Sequence, residues 1–562
     1  MKLSINLIYF ISLAVVFAGY SACKSHNKPA EKEIVKNPEE IDDQVAENLK
    51  SVLQYANDSK GKIDDSTNLA LPHIVTAFYD KNSYQNFWSK KGNWLPIADS
   101  MISFIRYSRY YGLYPDDYHF RDIAKLKDKF QYDSLAKKDV VFWTKADLLL
   151  TDAFMKTIKD LKEGRLLPDS ISIINNKKFI DSLFVKSLGK AKDAGSVLPV
   201  FNDIEPANAD YQSLKLAVKN FADDMDTVKY TFITFPLKDS MRLIKNIHQR
   251  LKEAGMTDNN ITLPDSLTLS NEIKKFQQAH ALEADGKISG RLARKLNNTD
   301  AEKFKRIAVT LDRYKRMPAL PANYIWVNLP GYYLKLLDHD SVALESKVIV
   351  GKPETRTPLL NSAISDMVLY PQWTIPASII KKDILPALKK DPGYLQKKGF
   401  SLLDVKGDTV DPYTINWQKY STGIPWKVRQ GSGEDNALGI FKFNFPNAYN
   451  VYLHDTNQRY LFKNSSRALS HGCVRVQNWQ GLAYLLARHD SINLAAGQRL
   501  RYNEDSIKTW IANKSRKQIM LNSKFPLYIK YFTCEAKDGK LKFYDDIYNE
   551  DKMYAEKYFP NK

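Results

Sequence analysis

The sequence has 562 residues, too many for one ordinary hydrophobic core, and this length predicts two to four domains. Hydrophobic residues make up 44% of the chain and charged residues 26%, which is ordinary for a soluble globular protein. The net charge is +19, yet lysine and arginine are scattered among acidic residues and no nucleic-acid-binding motif is present. The composition therefore argues against a nucleic-acid partner and favours, at most, an anionic polymer of the cell envelope.

The N-terminus has the pattern of an export signal. Lys2 supplies a small positive region, residues 5–18 form an apolar run too short for a membrane span, and small residues precede Cys23. We predict a lipoprotein-type signal peptide over residues 1–22 and Cys23 as the lipidated first residue of an exported, periplasmic protein held at the membrane. A plain secretory signal or an uncleaved anchor stays open, because Tyr20 stands where the bacterial pattern prefers an aliphatic residue.

Export makes the other two cysteines informative. Only Cys473 and Cys534 remain after Cys23, and an exported protein of this size that relied on disulfides would usually carry more. A single disulfide between them would use the thiol of Cys473, the cysteine whose sequence neighbours indicate chemistry. We therefore predict a free thiol at Cys473, with the bridge as the alternative.

The first half of the exported chain is predicted to contain a tether and a helical domain. Residues 23–64 are expected to form a flexible tether, because residues 24–50 are polar and charged. Residues 65–236 are predicted as a helical scaffold domain, because apolar residues recur there at spacings of three and four, and residues 140–161 form a long amphipathic run.

Residues 237–300 predict a compact three-helix unit, with a turn at Asp285 and Gly286 that lets the last helix fold back on the others. The unit resembles the small peptidoglycan-binding module at eight positions: Phe276, Gln277, His280, Leu282, Asp285, Gly286, Gly290 and Leu296. A helical spacer without a binding groove is the alternative. Residues 301–320 are predicted as a linker helix.

From residue 321 the pattern changes to short runs of β-branched and aromatic residues bounded by glycine, proline and aspartate, which predict strands. This mostly-β domain is assigned to residues 321–535, interrupted at residues 381–428 by a lysine-rich helical insertion, and residues 536–562 are left as a C-terminal segment. The predicted fold class is multidomain α+β.

Two stretches of the β domain carry the chemistry. Residues 451–453 alternate as a strand and place His454 at its end. Cys473 lies at the mouth of a second strand, which is followed by a helix that Asn478 is placed to cap. A thiol that attacks a carbonyl group needs a base and donors for the developing oxyanion. His454 is the predicted base, and its imidazole is expected to keep the Cys473 sulfur ionised.

The remaining candidates surround this pair. The main-chain N–H groups near Gly472 and Cys473 are predicted to form the oxyanion hole, and Tyr452 shares a strand face with His454 and can donate its phenolic proton. Arg475 shares a face with Cys473 and is a candidate for binding a substrate carboxylate. The predicted oxyanion-hole and substrate-binding residues are Tyr452, Ser470, His471, Gly472, Arg475 and Asn478.

His454, followed 16 positions later by Ser470-His471-Gly472-Cys473, resembles the signature of the L,D-transpeptidases with a YkuD-type catalytic domain. Residues 370–376, 431–439 and 453–456 are similar to the large murein subfamily, which has a helical scaffold, a peptidoglycan-binding module and a catalytic domain with a capping insertion. The resemblance implies that Cys473 attacks the mesodiaminopimelyl–D-alanine bond of a tetrapeptide stem and releases D-alanine. An amine of a neighbouring stem then makes a 3→3 cross-link.

The same resemblance implies peptidoglycan as the partner, no cofactor, no metal, acylation of Cys473 by carbapenems, and a site-shaping role for His471. The acceptor stays open: water would make a carboxypeptidase, a D-amino acid an exchange enzyme, and a protein lysine a wall-attachment enzyme. Three other classes are alternatives: a zinc site at His454, His471 and Cys473, a papain-like peptidase with its cysteine before its histidine, and a non-catalytic wall-binding lipoprotein.

Overall fold

The computed structural model describes residues 32–166, 173–175, 180–258, 262–339, 341–494, 499 and 501–560. The predicted signal peptide, Cys23 and residues 24–31 of the predicted tether lie outside the described residues. The chain divides into two compact units, the first comprising residues up to 107, 114–159 and 169–204, and the second residues 108–113, 160–168 and 205 onward. None of the described helices is long and apolar enough to cross a membrane.

The first unit is helical, as the scaffold prediction expects. Its helices are α1 Ile41–Asp58, α2 Pro72–Lys81, α3 Pro96–Arg106, α4 Phe120–Tyr132, α5 Val140–Glu163, whose last turn belongs to the second unit, α6 Lys186–Asp193 and α7 Leu198–Ile204. A two-residue ribbon of β1 Ser89–Lys90 and β2 Asn93–Trp94 completes it. Aromatic side chains, among them Tyr79, Trp88, Trp143 and Phe154, are fully buried and pack its core.

Helix α1 corrects the prediction of a flexible tether over residues 23–64. Ile41, Val45, Leu49, Leu53 and Ala56 are buried along one face of this helix at spacings of three and four. The charged residues between them occupy the opposite face. The described part of the segment is therefore part of the folded unit, because its high charge conceals an amphipathic stripe.

The helices that precede the large sheet of the second unit are α8 Ala209–Asp223, α9 Ser240–Glu253, α10 Ser266–Ala279, α11 Gly290–Leu296 and α12 Asp300–Lys315. Helices α9 to α11 begin at side-chain caps on Asp239, Asp265 and Ser289 and share one apolar core. The predicted linker helix corresponds to α12, whose side chains Phe304 and Leu311 are fully buried. Helix α12 is therefore a core helix of this unit.

The strands that follow are β3 Asn323–Asn328, β4 Tyr333–Asp338, β5 Ser341–Gly351, β6 Leu360–Leu369, β7 Trp373–Thr374, β8 Phe400–Leu403, β9 Lys427–Gln430, β10 Phe441–Asn444, β11 Leu453–His454, β12 Ala468–Ser470, β13 Val474–Val476 and β14 Lys517–Lys530. Nine of them form one sheet in the order β12-β5-β13-β11-β10-β6-β14-β3-β4. Because β4 also pairs with β5, eight strands form a closed ring of pairings. Their inner side chains build the main core of the unit.

The insertion predicted as helical over residues 381–428 has a mixed structure. It contains the short helices α14 Leu385–Lys390 and α15 Tyr394–Lys397, and another short helix, α13 Ala377–Ile379, precedes it. Its strand β8 and the strand β9 at its end form a separate three-stranded sheet with β7, which also precedes it. Ile384, Leu388, Trp417 and Val428 belong to its own apolar core. The lysine-rich start of the insertion dominates its composition, which is why the sequence pattern conceals the two strands that follow.

The chain ends with helices α16 Trp479–Ile492 and α17 Glu504–Ala512, then β14, a hairpin of β15 Cys534–Lys537 and β16 Lys540–Phe543, and helix α18 Glu550–Tyr558. The predicted boundary between residues 535 and 536 cuts this hairpin. Tyr548, from the predicted C-terminal segment, is buried in the core of the β domain. The segment is therefore part of the β domain's fold.

Candidate active site

Three adjacent strands present the predicted chemical side chains on one face of the sheet. His454 on β11 stands in register with Lys442 on β10 and with Arg475 on β13. The neighbouring pair, Leu453 and Val474, is buried in the core on the opposite face. Because side chains two residues apart share a face of a strand, Tyr452 lies beside His454 and Cys473 beside Arg475. The structure thus brings these predicted residues together.

Tyr452 is the immediate neighbour of the nucleophile. The Val474 N–H donates to the Tyr452 carbonyl at 3.1 Å, which aligns Tyr452 with Cys473. Both the main chain and the hydroxyl of Tyr452 hydrogen-bond to the Cys473 thiol. The ring of Tyr452 also meets the His454 ring edge-on, with 5.6 Å between centroids. Tyr452 is therefore a neighbour of both the predicted base and the sulfur.

His454 lies diagonally across from Cys473, one strand over and two residues along. Strand spacing and rise put the two Cα atoms roughly 8 Å apart, so the side chains can meet across that distance. The His454 Nδ1 donates to the Asp455 carbonyl, and the Leu438 carbonyl is a second hydrogen-bonding neighbour of the ring. In the neutral ring with its proton on Nδ1, Nε2 carries the lone pair and can accept a proton.

The hydrogen bonds of the resting site run from His454 to main-chain carbonyls and from Tyr452 to Cys473, and among the described residues no hydrogen bond joins His454 to Cys473. Burial raises the pKa of the Cys473 thiol, against the opposing effects of Tyr452, Lys442 and Arg475. Burial, together with the Arg475 and Lys442 charges, lowers the pKa of His454 to about 3. Thiol and imidazole are therefore both neutral at pH 7. These two shifts run against the expectation that the His454 imidazole keeps the Cys473 sulfur ionised.

The turn before Cys473 is fixed by Ser470. The Ser470 hydroxyl donates to the Cys473 carbonyl at 2.6 Å and accepts from the Gly472 N–H at 3.1 Å. Gly472 has φ +124°, a conformation that L side chains rarely adopt. The Gly472 N–H is thus already engaged, whereas the Cys473 N–H has no protein partner in the described part of the chain. Of the two predicted oxyanion-hole donors, the Cys473 N–H is the one available.

Two residues that sequence reasoning missed, Thr357 and Tyr548, support this turn through hydrogen bonds. The Thr357 hydroxyl donates to the Gly472 carbonyl at 2.8 Å and accepts from the Gly351 N–H at 2.9 Å. The Tyr548 hydroxyl accepts from the Thr357 N–H at 3.2 Å and donates to the Gly351 carbonyl at 2.7 Å. Thr357 and Gly472 are 115 positions apart, and the Tyr548 contacts span 191 and 197 positions, so no local pattern signals them.

His471 and Arg475 point to different neighbours. The His471 Nε2 pairs with the Asp383 carboxylate at 2.8 Å, and this contact links the turn to the insertion. The Arg475 guanidinium donates to Gln458 at 2.9 Å and to Thr456 at 3.3 Å. Within the described residues Arg475 has no carboxylate partner, so its charge is available to a carboxylate of a ligand.

Asn478 acts as the predicted helix cap. Its side-chain oxygen accepts from the Gly481 N–H at 3.1 Å at the start of α16, and its N–H is bonded by Ser346. Asn478 was also predicted to bind substrate; its side-chain oxygen is engaged by the helix cap.

We expect Asn478→Ala to lower the free energy of unfolding by about 1 kcal/mol, because the first turn of α16 loses its cap. Chemical denaturation of the full-length protein measures this change. Asn478→Asp keeps the acceptor and should stay near the wild type. Equal stability of the alanine variant and the wild type would contradict the capping role.

The strand predicted over residues 451–453 is shorter than expected, since β11 begins at Leu453. The Asn447 side chain bonds both the N–H and the carbonyl of Val451, at 3.1 Å and 2.8 Å. These groups are therefore satisfied by a side chain instead of a neighbouring strand. The tight turn through Asn450, with φ +56°, follows from this contact.

Both described cysteines are free thiols, as predicted for Cys473. Cys473 is partly exposed, whereas Cys534 is fully buried and burial raises its pKa far above the usual range. Within the described ranges no group of three or more His, Cys, Asp or Glu side chains is arranged to hold a metal ion.

Two family models match the chain. The L,D-transpeptidase catalytic domain, YkuD, matches residues 322–488, which contain every side chain of the site above except Tyr548. A scaffold-domain model matches residues 73–217. The first match agrees with the β-rich domain, and the second with most of the predicted helical scaffold.

A Haemophilus influenzae protein that carries an L,D-transpeptidase assignment is 37% identical to the chain over 248 residues. The match covers 44% of the chain and 48% of the relative, so it spans about half the length of that protein. An L,D-transpeptidase mutant of Enterococcus faecium is 11% identical over 41% of the chain and 64% of that structure, with a TM-score of 0.16. An L,D-transpeptidase of Stackebrandtia nassauensis is 14% identical over 54% of the chain and 97% of that structure, also at 0.16.

Proposed function

We propose that this chain makes 3→3 cross-links in peptidoglycan through a thioacyl intermediate on Cys473, because residues 322–488 match the model of the L,D-transpeptidase catalytic domain, YkuD. The observation that carries the proposal is the shared sheet face that presents the Cys473 thiol, the Tyr452 hydroxyl and the neutral His454 ring. The donor is a tetrapeptide stem, and the bond that is cleaved joins its diaminopimelyl residue to D-alanine.

In the acylation step His454 Nε2 takes the thiol proton as the Cys473 sulfur attacks the donor carbonyl carbon. A base of low pKa is a weak acceptor, so the transfer is driven by bond formation to carbon within the same step. The Cys473 N–H and the Tyr452 hydroxyl can donate to the oxyanion. The imidazolium then returns its proton to the departing D-alanine amine, and the tripeptide remains on sulfur as a thioester.

In the second step an amine of a neighbouring stem attacks the thioester carbon. His454 accepts the amine proton, the carbon–sulfur bond breaks, and the proton returns to the sulfur. The product is a new amide between two diaminopimelyl residues, and the Cys473 thiol is restored. Water in place of the amine would give a free tripeptide by the same steps.

The charge of Arg475 and the position of the insertion support two further parts of the proposal. Arg475 is placed beside Cys473 without a carboxylate partner of its own among the described residues, and we assign it to a carboxylate of the donor stem. Asp383 of the insertion contacts His471, two residues before the nucleophile. The insertion accordingly acts as a cap over the donor groove.

The envelope context completes the proposal. Lipidation of Cys23 would hold the protein in the periplasm at a membrane, and the three-helix unit over residues 237–300 would bind peptidoglycan. In that unit the Gln277 side chain bonds Asp285 at 2.8 Å and the Gly286 N–H at 2.9 Å, which fixes the turn of the peptidoglycan-binding resemblance. Carbapenems, whose ring carbonyl suits a thiol nucleophile, are expected to acylate Cys473.

Mass analysis of muropeptides tests the proposed reaction directly. Purified full-length enzyme is incubated with disaccharide-tetrapeptides, and the products are separated and sequenced by mass spectrometry. We expect dimers joined through two diaminopimelyl residues together with free D-alanine. Tripeptide monomers without dimers would replace the proposal with a carboxypeptidase, and unchanged tetrapeptides would replace it with a non-catalytic wall-binding protein.

A further inference from the structure

Lys442 is a lysine on the active-site face that sequence reasoning did not single out. It stands opposite His454 across β10 and β11, and its ammonium nitrogen lies 4.0 Å from the centre of the Tyr452 ring. The alternation Phe441-Lys442-Phe443, with both phenylalanines fully buried, turns the lysine toward the site. This alternation is the sequence signal that could have found it.

The ammonium group has no ion pair within the described residues. The carboxylate that influences it, Asp366, is bonded by Asn444 at 2.7 Å and by Gln518 at 3.2 Å. Burial lowers the pKa of Lys442, while the charges of Cys473 and Asp366 act in the opposite direction. A half-buried cation without a paired anion is costly unless an anion forms beside it.

The side chains that act on the Cys473 thiol are Lys442 on β10, Tyr452 just before β11 and Arg475 on β13. His454, on β11, stands in register with Lys442 and Arg475. His471, at the turn, is paired with Asp383. Since His454 is neutral at rest, the positive charges that can stabilise an anionic sulfur belong to Lys442 and Arg475.

We propose that Lys442 is the positioning residue of the nucleophile: its ammonium group holds the Tyr452 ring beside Cys473 and stabilises the negative charge of the sulfur when the thiol proton leaves. The same charge opposes protonation of His454 and so keeps that ring ready to accept a proton. The proton passes from sulfur to His454 Nε2, and Lys442 neither gains nor loses one. The role in turnover rests on the proposed function, but the effect on the thiol does not.

Alkylation of Cys473 by iodoacetamide tests the proposal without any peptidoglycan. The rate is followed against pH in the full-length protein by mass spectrometry of the peptide that contains Cys473. For Lys442→Met we expect alkylation at pH 8 to be about tenfold slower and the whole profile to move to higher pH, because a nearby cation favours the thiolate. Lys442→Arg keeps the charge and should stay within about twofold of the wild type.

Lys530→Met is the matched control. Lys530 lies on β14 of the same sheet, its ammonium nitrogen is 5.8 Å from the Tyr528 ring centre, and burial lowers its pKa, yet Cys473 does not influence it. The control should leave the alkylation profile unchanged. An unchanged profile for Lys442→Met would overturn the proposal, and so would an equal slowing in the arginine and methionine variants, which would indicate packing alone. If wild-type enzyme makes no cross-link while the shift is seen, the proposed function fails and the role of Lys442 stands.

Discussion

Cys473→Ala is expected to reduce the rate of dimer formation from tetrapeptide donors by about four orders of magnitude or more, because no other group can carry the acyl chain. The measurement is the initial rate of cross-linked dimer, with free D-alanine followed in parallel. The thiol is partly exposed and stands on a face with Tyr452 and Arg475, so its removal leaves the surrounding fold intact. Binding of the variant to isolated cell walls should stay near the wild type.

Cys534→Ala is the matched control for this experiment. Cys534 is fully buried in the hairpin that follows β14, and burial raises its pKa far above the usual range, so it is an inert thiol. We expect this variant to keep the activity of the wild type after correction for folded protein. Loss of activity in the Cys534 variant, with activity retained in the Cys473 variant, would reverse the assignment of the nucleophile.

His454→Gln is the substitution with the second largest expected effect. Glutamine can keep a hydrogen bond to the Asp455 carbonyl but cannot accept the thiol proton, so we expect kcat to fall by about 10²- to 10⁴-fold. KM for the donor should change little, because the ring does not contact a substrate carboxylate in the proposed reaction. A rise in KM with kcat preserved would instead indicate that His454 binds substrate.

The pH dependence of turnover and of alkylation follows from the lowered pKa of His454 and the raised pKa of Cys473. The pKa of His454 is lowered to about 3, so its neutral form persists as the pH falls from 8 to 5 and is lost only near pH 3. The wild-type profile of kcat/KM against pH should therefore have no inflection near pH 6.5 that is caused by His454. Because the pKa of Cys473 is raised, alkylation of the free enzyme should keep rising with pH above the range of an ordinary thiol. An inflection near 6.5 that depends on His454 would mean that the imidazole titrates normally.

The same shift affects folding. A histidine whose folded pKa lies below its unfolded value binds fewer protons when folded, so its contribution to stability is complete above about pH 6.5. That contribution falls as the pH is lowered through the window between about 6.5 and about 3. His454→Gln removes this part of the pH dependence.

The chemical part of the site was predictable because it lies within 25 residues and on short strands. The alternation of Tyr452, Leu453 and His454, and of Cys473, Val474 and Arg475, predicts which side chains share a face. The cap at Asn478 was also readable, since Asn before an apolar helix has a local signature. The helical scaffold and the β texture of the second half follow from periodicity in the same way.

The rest depends on contacts that local patterns do not encode. Thr357 contacts the nucleophile turn from more than 100 residues before it, and Tyr548, more than 70 residues after the turn, bonds Thr357. The neutral resting state of His454 follows from burial and from the nearby charges of Arg475 and Lys442, which only the assembled sheet brings together. The high charge of the segment led to the prediction of a tether where the helix Ile41–Asp58 lies, although its apolar spacing was present in the sequence.

Trapping of the acyl-enzyme is the most direct test for the thioacyl intermediate on Cys473. The full-length enzyme is incubated with a tetrapeptide donor whose side-chain amine is blocked, quenched in acid, and analysed by intact mass and by peptide mapping. We predict an added mass equal to the donor acyl group without D-alanine, located on the peptide that contains Cys473. Cross-linked product together with an adduct on any other residue would contradict it.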